Sequence, residues 1–302
     1  MAAKRTAIVV EVDGHELELS NLDKVLYPSG FTKGEVIDYY ARIAPVALPH
    51  LRGRALTFKR FPNGTETKGF FEKRCPDHRP GFVSVATGPG DRRGGIAYCC
   101  LDSPAALVWA ANMAAIELHA PMALAEDLER PRAVVFDFDP GPGTDIGDCC
   151  AMALRVHDVL AAVGLDGWCK TSGSKGLQLY VPLNTPGVGH QQAADFALAV
   201  GQVMEKQLPK QVTTVMAKAV RPGKIFVDWS QNAHHKTTIA PYSMRARPEP
   251  TVSTPVSWDE VSDCADGDLD LVFEAADVLE RVAAHGDLFE PVLTLKQKLP
   301  SK

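Results

Sequence analysis

The sequence predicts a mixed α/β chain whose chemistry sits at the ends of buried strands. Three observations lead there. An apolar run closes on two aspartates and a turn, AVVFDFDPGPG (residues 133–143). A second apolar run closes on one aspartate, KIFVDWS (224–230). Helix-start signals, Thr32 with Glu35 and Ser257 with Glu260, are interspersed with strand-like pieces along the chain.

In chain order, IVVEVDGHELEL (8–19) reads as two strands joined by an Asp-Gly hairpin turn. Thr32 and Glu35 form a capping box, and Val36, Ile37, Tyr40 and Ile43 follow as a helical stripe. Strand-like pieces cover 55–61, 69–73, 82–86 and 96–101, with the mobile glycine-rich tip TGPGDRRGG, carrying Arg92 and Arg93, between the last two. Ser103-Pro104 starts a helix that is expected to run to about Glu117, leaving His119 just past its end. A helix over 145–163, two strands around a glycine turn (168–183), a helix over 190–207, strands at 211–217 and 225–229 and acidic helices from Ser257 complete the chain. There is no internal repeat or long linker, so a single domain over 1–302 is expected. It subdivides into an N-terminal part (1–130), a catalytic part (131–256) and an acidic helical flank (257–302).

Asp137 and Asp139 lie two residues apart on one strand, so they point to the same face about 6.5–7 Å apart. Two like charges there call for a counter-cation, and hard oxygen ligands suit Mg²⁺ or Mn²⁺. The bland alternative is an edge-strand pair facing water. Asp228, at the end of a separate apolar strand, supplies a third carboxylate. Three strand-borne aspartates can hold two divalent ions in the arrangement used for phosphoryl or nucleotidyl transfer. In KTSGSKG (170–176), glycines free backbone amides, Ser172 and Ser174 supply hydroxyls and Lys175 a charge, a set that suits a triphosphate or a polar hairpin turn. The GxxxxGK[ST] spacing of a Walker A loop is absent. His119 could donate to a phosphate, and Arg221, Lys224 and Arg245 bracket Asp228 in sequence, where they would neutralise phosphate charge.

The chain of 302 residues is 45% hydrophobic and 23% charged, within the range of ordinary globular proteins. No run approaches the roughly 18 apolar residues of a membrane span, and MAAKRTAIVVEVDG lacks a signal-peptide apolar region, so a cytoplasmic, nucleoid-associated location without membrane partners is expected. Seven cysteines, including Cys99-Cys100 and Cys149-Cys150, read as small core residues, and Cys75 with His78 would be only half of a zinc site. The net charge of −5 hides an asymmetry: eleven acids against Arg281 alone lie in 257–290, leaving 31 basic and 26 acidic residues elsewhere. Lys206–Arg247 carries eight Lys and Arg and one acid, Asp228. A polyanion-binding face apart from an acidic flank follows.

The strings FDFDPG, ELHAP, TSGSKGLQLY, RPGKIFVDWSQN, KTTIAPYSMR and NLDKVLYP together resemble the archaeo-eukaryotic primase superfamily. Within it they are most similar to the polymerase domain of bacterial ligase D and its stand-alone actinobacterial Prim-Pol relatives, over about residues 16–290. The resemblance implies a primase-polymerase fold, with mixed and antiparallel sheets and an RRM-like catalytic core flanked by helices. It implies a template-directed nucleotidyltransferase acting at DNA gaps and broken ends in repair, with Asp137, Asp139 and Asp228 as ligands of two Mn²⁺ or Mg²⁺ ions. Lys59, His119, Ser172, Lys175, Arg221 and Arg245 would hold the incoming NTP or dNTP. Lys24 and Lys33 would grip a downstream 5′-phosphate, and Phe70 and Phe71 would stack on the template. The tip TGPGDRRGG and the segment MAKAVRPGK would be mobile DNA-contacting loops. Ligase D proteins append a phosphoesterase and an adenylating ligase; no KxDG nucleophile motif occurs here, so sealing is expected to fall to a separate ligase, in end joining with Ku or in excision-repair gap filling. Two other readings remain open at this point: a haloacid-dehalogenase-type phosphatase, which also uses a strand-end DxD, and a non-catalytic DNA-end-binding protein.

Overall fold

The computed structural model describes residues 7–91 and 94–300. The chain folds into two compact units. The first contains the residues through Ala120 with Tyr242–Val252 and Phe273–Gly286; the second contains Pro121–Pro241, Ser253–Val272 and the residues from Asp287 onward.

In the first unit, β1 (Ala7–Val12) and β2 (His15–Ser20) form an antiparallel hairpin. Asp13 and Gly14 take φ of 51° and 74°, the left-handed pair that matches strand twist in a two-residue turn. Helix α1 (Lys33–Leu51) carries the capping box at Thr32 and Glu35 and buries Val36, Ile37, Tyr40 and Ile43. Then come β3 (Thr57–Arg60), β4 (Phe70–Glu72), β5 (Ser84–Asp91), β6 (Gly94–Cys100), helix α2 (Pro104–Asn112) and β7 (Ala115–Ala120). β3 pairs antiparallel with β4 on one side and β7 on the other, while β5 and β6 form a hairpin.

Three expectations are corrected here. The helix after Ser103 stops at Asn112, because Ala114 adopts a left-handed φ of 57° and the chain re-enters as β7; His119 therefore lies in a strand. The alternation of Ile116 and Leu118 with Glu117 and His119 is the two-residue period that marks it. The tip TGPGDRRGG is mostly hairpin, since β5 runs through Asp91 and β6 starts at Gly94, with Gly88 paired opposite Ile96 and lying against the Tyr98 ring, which leaves no room for a Cβ. Arg92 and Arg93 lie outside the described residues. Third, Cys75 and Cys99 form a disulfide, which removes Cys75 as a zinc ligand. The Cys75 amide donates to Ala97 O at 2.7 Å, so the segment after β4 runs beside β6 and the two Cα atoms come within 4.8 Å. Cys100, Cys149, Cys150, Cys169 and Cys264 are free and buried, as core residues.

The second unit is built on a six-stranded sheet. Its elements are β8 (Ala123–Leu124), β9 (Asp127–Pro131), β10 (Ala133–Pro140), α3 (Ile146–Ala162), β11 (Trp168–Thr171), β12 (Leu177–Pro182), α4 (His190–Gln207), β13 (Val212–Thr213), β14 (Ile225–Asp228), β15 (Thr238–Ile239), β16 (Pro255–Val256) and α5 (Trp258–Asp266). Helix α6 (Ala275–His285) returns to the first unit and α7 (Pro291–Thr294) to the second. The strand order is β13-β14-β10-β12-β11-β16, antiparallel except for β13 with β14. The expected strand over 211–217 shrinks to Val212–Thr213. Beyond it the Thr214 amide turns to the Glu205 carboxylate and the Val215 amide to the Thr213 hydroxyl.

Strand β10 decides where the site lies. Val134, Phe136 and Phe138 are fully buried; Phe136 meets Phe196 of α4 ring to ring at 6.3 Å, and the Cys149 thiol of α3 donates to Phe138 O. Ala133 and Val135 pack on the opposite face with Met122, Tyr180, Phe289 and Val292. Asp137 and Asp139 continue this second face, away from the two helices. Where β14 no longer pairs with β10, Asn232 takes its place, accepting from Val135 N and donating to Val135 O, both at 2.8 Å. Asn232 is fully buried. Asn232→Ala strands one donor and one acceptor and is expected to cost about 2–5 kcal/mol; chemical denaturation checks it, and a loss no larger than that of an exposed substitution would refute it.

Candidate active site

The carboxylates meet because of register. Asp137 of β10 stands directly opposite Asp228 of β14 in antiparallel pairing, and Asp139 follows two residues along on the same face. One ligand oxygen from each lies within 4.8 Å of the others. Asp137 and Asp228 are buried, at 8% and 9% exposure, and Asp139 is the most open of the three. Like charges opposite one another destabilise a sheet, so this placement makes sense for a cation and not for packing.

Each carboxylate has its own support. Asp137 Oδ1 accepts from Gln178 Nε2 at 3.0 Å. Asp228 Oδ1 accepts from Ser230 N and Oγ at 3.0 and 2.6 Å, and its Oδ2 from Gln231 Nε2 at 2.9 Å. Burial first, and then the neighbouring Asp139 and Asp228 charges, push the Asp137 carboxyl up to about 7, against the Gln178 hydrogen bond and the Lys170 charge. Burial and Asp228 likewise raise Asp139, with Arg221 opposing them. The residues fit a divalent ion: all donors are hard oxygens, and the Lys170 and Arg221 charges compensate the three carboxylates only in part.

The turns explain the glycine-proline strings. Gly141 N donates to Lys224 O and Gly223 N to Pro142 O, so DPGPG docks onto RPGK and locks the end of β10 to the start of β14. A Cβ on Gly141 would lie 1.9 Å from Arg221 O, and one on Gly176 would lie 2.3 Å from Phe138 O. KTSGSKG makes the turn between β11 and β12. Ser172 Oγ accepts from Ser174 N and Gly176 N, so the hydroxyl shapes the turn it belongs to, while Lys175 is exposed at the tip. Arg221 lies 3.6 Å above the Phe226 ring and donates to Met216 O, and Lys224 is turned to Pro209 O.

The first unit gathers Lys59, His119 and Arg245 around a carboxylate that sequence reasoning missed as a site residue, Glu117. His119 Nε2 is 2.9 Å from Glu117 Oε2, Lys59 Nζ is 3.7 Å away and Arg245 Nε 3.3 Å from Oε1. Burial alone would raise Glu117, but the His119 hydrogen bond and the Arg245 and Lys59 charges outweigh it and bring the carboxyl to about 2. Burial pushes His119 below the ordinary histidine range despite Glu117. The signal available in the sequence was the ExH alternation on β7. Exposed Phe71 joins this cluster, its ring 5.5 Å from His119 and 5.6 Å from Lys59 Nζ, whereas Phe70 lies on the other face of β4 against Arg60. Lys24 and Lys33 are brought together by a backbone hydrogen bond from Lys33 N to Lys24 O. Lys24 is exposed and donates to Pro62 O; Lys33 is buried and donates to Ser20 O.

Residues 32–289 match the family described as LigD, primase-polymerase domain. The chain belongs to that family. Relatives of this LigD-type primase-polymerase include the multifunctional non-homologous end joining protein LigD of Mycolicibacterium smegmatis, 42% identical over 91% of this chain and 36% of that protein. The multifunctional non-homologous end joining DNA repair protein LigD of Mycobacterium tuberculosis is 45% identical over 90% of this chain and 36% of its own length. This chain thus spans a little over a third of these curated relatives. Among solved structures, the polymerase domain of Mycobacterium tuberculosis ligase D in complex with DNA superposes with a TM-score of 0.84 at 43% identity, covering 92% of this chain and 98% of that one. The mixed α/β fold is that of the LigD polymerase domain, and the chain is a DNA-directed nucleotidyltransferase. This membership displaces both the phosphatase and the non-catalytic reading. Among the described residues, no helix is long and apolar enough to cross a membrane.

Proposed function

We propose that this primase-polymerase fills short gaps or broken DNA ends by template-directed nucleotidyl transfer at Asp137, Asp139 and Asp228. The observation that carries the reading is the convergence of three strand-borne carboxylates within 4.8 Å. Two Mn²⁺ or Mg²⁺ ions held there would acidify a primer 3′-hydroxyl and neutralise triphosphate charge. Asp137 and Asp228 are oriented by their own donors, so little reorganisation is needed when they ligate. Lys59, His119, Ser172, Lys175, Arg221 and Arg245 would hold the triphosphate of the NTP or dNTP, with Glu117 offsetting the Lys59 and Arg245 charges until it binds. Phe71, exposed beside that cationic group, is better placed than Phe70 to stack on a template base.

Gapped or broken DNA with a 5′-phosphate is the proposed substrate, acting with a separate ligase and with Ku if the pathway is end joining, on the nucleoid in the bacterial cytoplasm. The test is extension on a short phosphorylated gap, comparing NTPs with dNTPs and Mn²⁺ with Mg²⁺; no extension under any combination would refute the reading. Lys24→Ala is expected to weaken gap binding mainly when the 5′-phosphate is present. Lys33→Ala should do so too and also lower stability, because Lys33 is buried on Ser20 O. Equal loss on phosphorylated and unphosphorylated gaps in a fluorescence titration would remove both lysines from that role.

A further inference from the structure

A row of four polar residues crosses the sheet of the second unit. Lys170 on β11 stands opposite Gln178 on β12, Gln178 opposite Asp137 on β10, and Asp137 opposite Asp228 on β14. Lys170 Nζ donates to Gln178 Oε1 at 2.6 Å and to Ser253 Oγ at 2.8 Å, and Gln178 Nε2 donates to Asp137 Oδ1 at 3.0 Å. Lys170 has no exposed surface and Gln178 is 4% exposed.

The direction of this row has a chemical cause. An ammonium only donates, so the Gln178 oxygen must face Lys170; an ionised carboxylate only accepts, so the Gln178 amide nitrogen must face Asp137. The amide oxygen turned toward Asp137 would set acceptor against acceptor and leave the Lys170 ammonium facing an N–H. Lysine on one side and carboxylate on the other therefore select the same single orientation. The bond occupies Asp137 Oδ1 and aims the carboxyl, as outer-shell donors do for ligating groups.

We infer that Gln178, held in one orientation by Lys170, is a positioning residue that aims Asp137 for divalent-ion binding. The inference rests on the metal site proposed above. It is tested on the full chain with MnCl₂ alone, without nucleotide or DNA, by calorimetry and by the electron paramagnetic resonance signal of free Mn²⁺.

Gln178→Met keeps length and packing but loses donor and acceptor; it should bind Mn²⁺ about 10- to 100-fold more weakly, and its melting temperature in EDTA should fall, because buried Lys170 loses an acceptor, while its circular dichroism stays that of the folded chain. Gln178→Ala serves the same purpose if the methionine variant does not fold. Gln178→His should restore most of the affinity, because a neutral imidazole also accepts on one nitrogen and donates from the other. Asp137→Ala is measured alongside. If it binds Mn²⁺ like the unsubstituted chain, the metal-site reading itself fails. If Asp137→Ala loses binding while Gln178→Met and Gln178→Ala retain it, or if histidine rescues nothing, the positioning role of Gln178 is overturned.

Discussion

Asp137→Asn is expected to abolish primer extension and, in the metal-free protein, to raise the melting temperature. Both effects come from the same geometry. Asp137 is buried opposite Asp228 with Asp139 close by, and the Gln178 amide and the more distant Lys170 charge only partly offset burial and those two neighbouring charges. The neutral amide removes a like charge from the cluster and keeps its volume, as often happens when a functional site gives up activity for stability. A pH dependence follows. The folded-state value of Asp137 is raised to about 7, above that of the unfolded chain, so the native state holds an extra proton between the ordinary carboxylate range and about 7. Stability of the metal-free protein should therefore fall as pH rises through that window and level off above it, and Asp137→Asn should flatten the slope. Added Mn²⁺ should stabilise the unsubstituted chain most on the alkaline side. Binding to a phosphorylated gap should change little, because Lys24 lies in the other unit. Scanning calorimetry across pH, with and without metal, checks the stability claims. A lower melting temperature for the variant, or continued extension, would contradict them.

Gly141→Ala and Gly176→Ala should both damage the site without touching a ligand. The new methyl would meet Arg221 O at 1.9 Å in one case and Phe138 O at 2.3 Å in the other. Both obstacles are backbone, so a strand end must move. Phe138 lies between the two aspartates of β10, and Arg221 belongs to the turn that leads into Asp228. The expected cost is about 1–3 kcal/mol in stability, together with loss of Mn²⁺ binding. Gly143→Ala is the control. It has nothing within 4 Å but a φ of 89°, so it should cost roughly 1–2 kcal/mol by backbone strain and leave metal affinity alone. If all three variants bind Mn²⁺ alike, close turn packing is not what sets the spacing of the carboxylates.

Much of the site was legible because its signals are local. A strand that ends in DxD puts both side chains on one face whatever its neighbours, and IFVD is an unmistakable apolar strand. The Asp13-Gly14 hairpin, the capping boxes at Thr32 and Ser257 and the helix over 190–207 are set by residues within a few positions of one another. Errors arose where a local tendency competed with pairing. The alanine-rich run after Ser103 favours helix, yet a left-handed turn at Ala114 turns 115–120 into a strand on β3. Cys75 and Cys99 look like separate small residues, and their spacing carries no information on their pairing.

By itself, then, the sequence determined the strand and helix periods, the turn chemistry and which side chains could ligate or carry charge, since these depend on steric and hydrogen-bonding preferences between near neighbours. Tertiary structure alone decided that Asp228 faces Asp137, that Gln178 and Lys170 complete the same row, and that Glu117 gathers Lys59, His119 and Arg245. Those are matters of register and approach between distant segments, where a shift of one residue would turn every side chain to the opposite face.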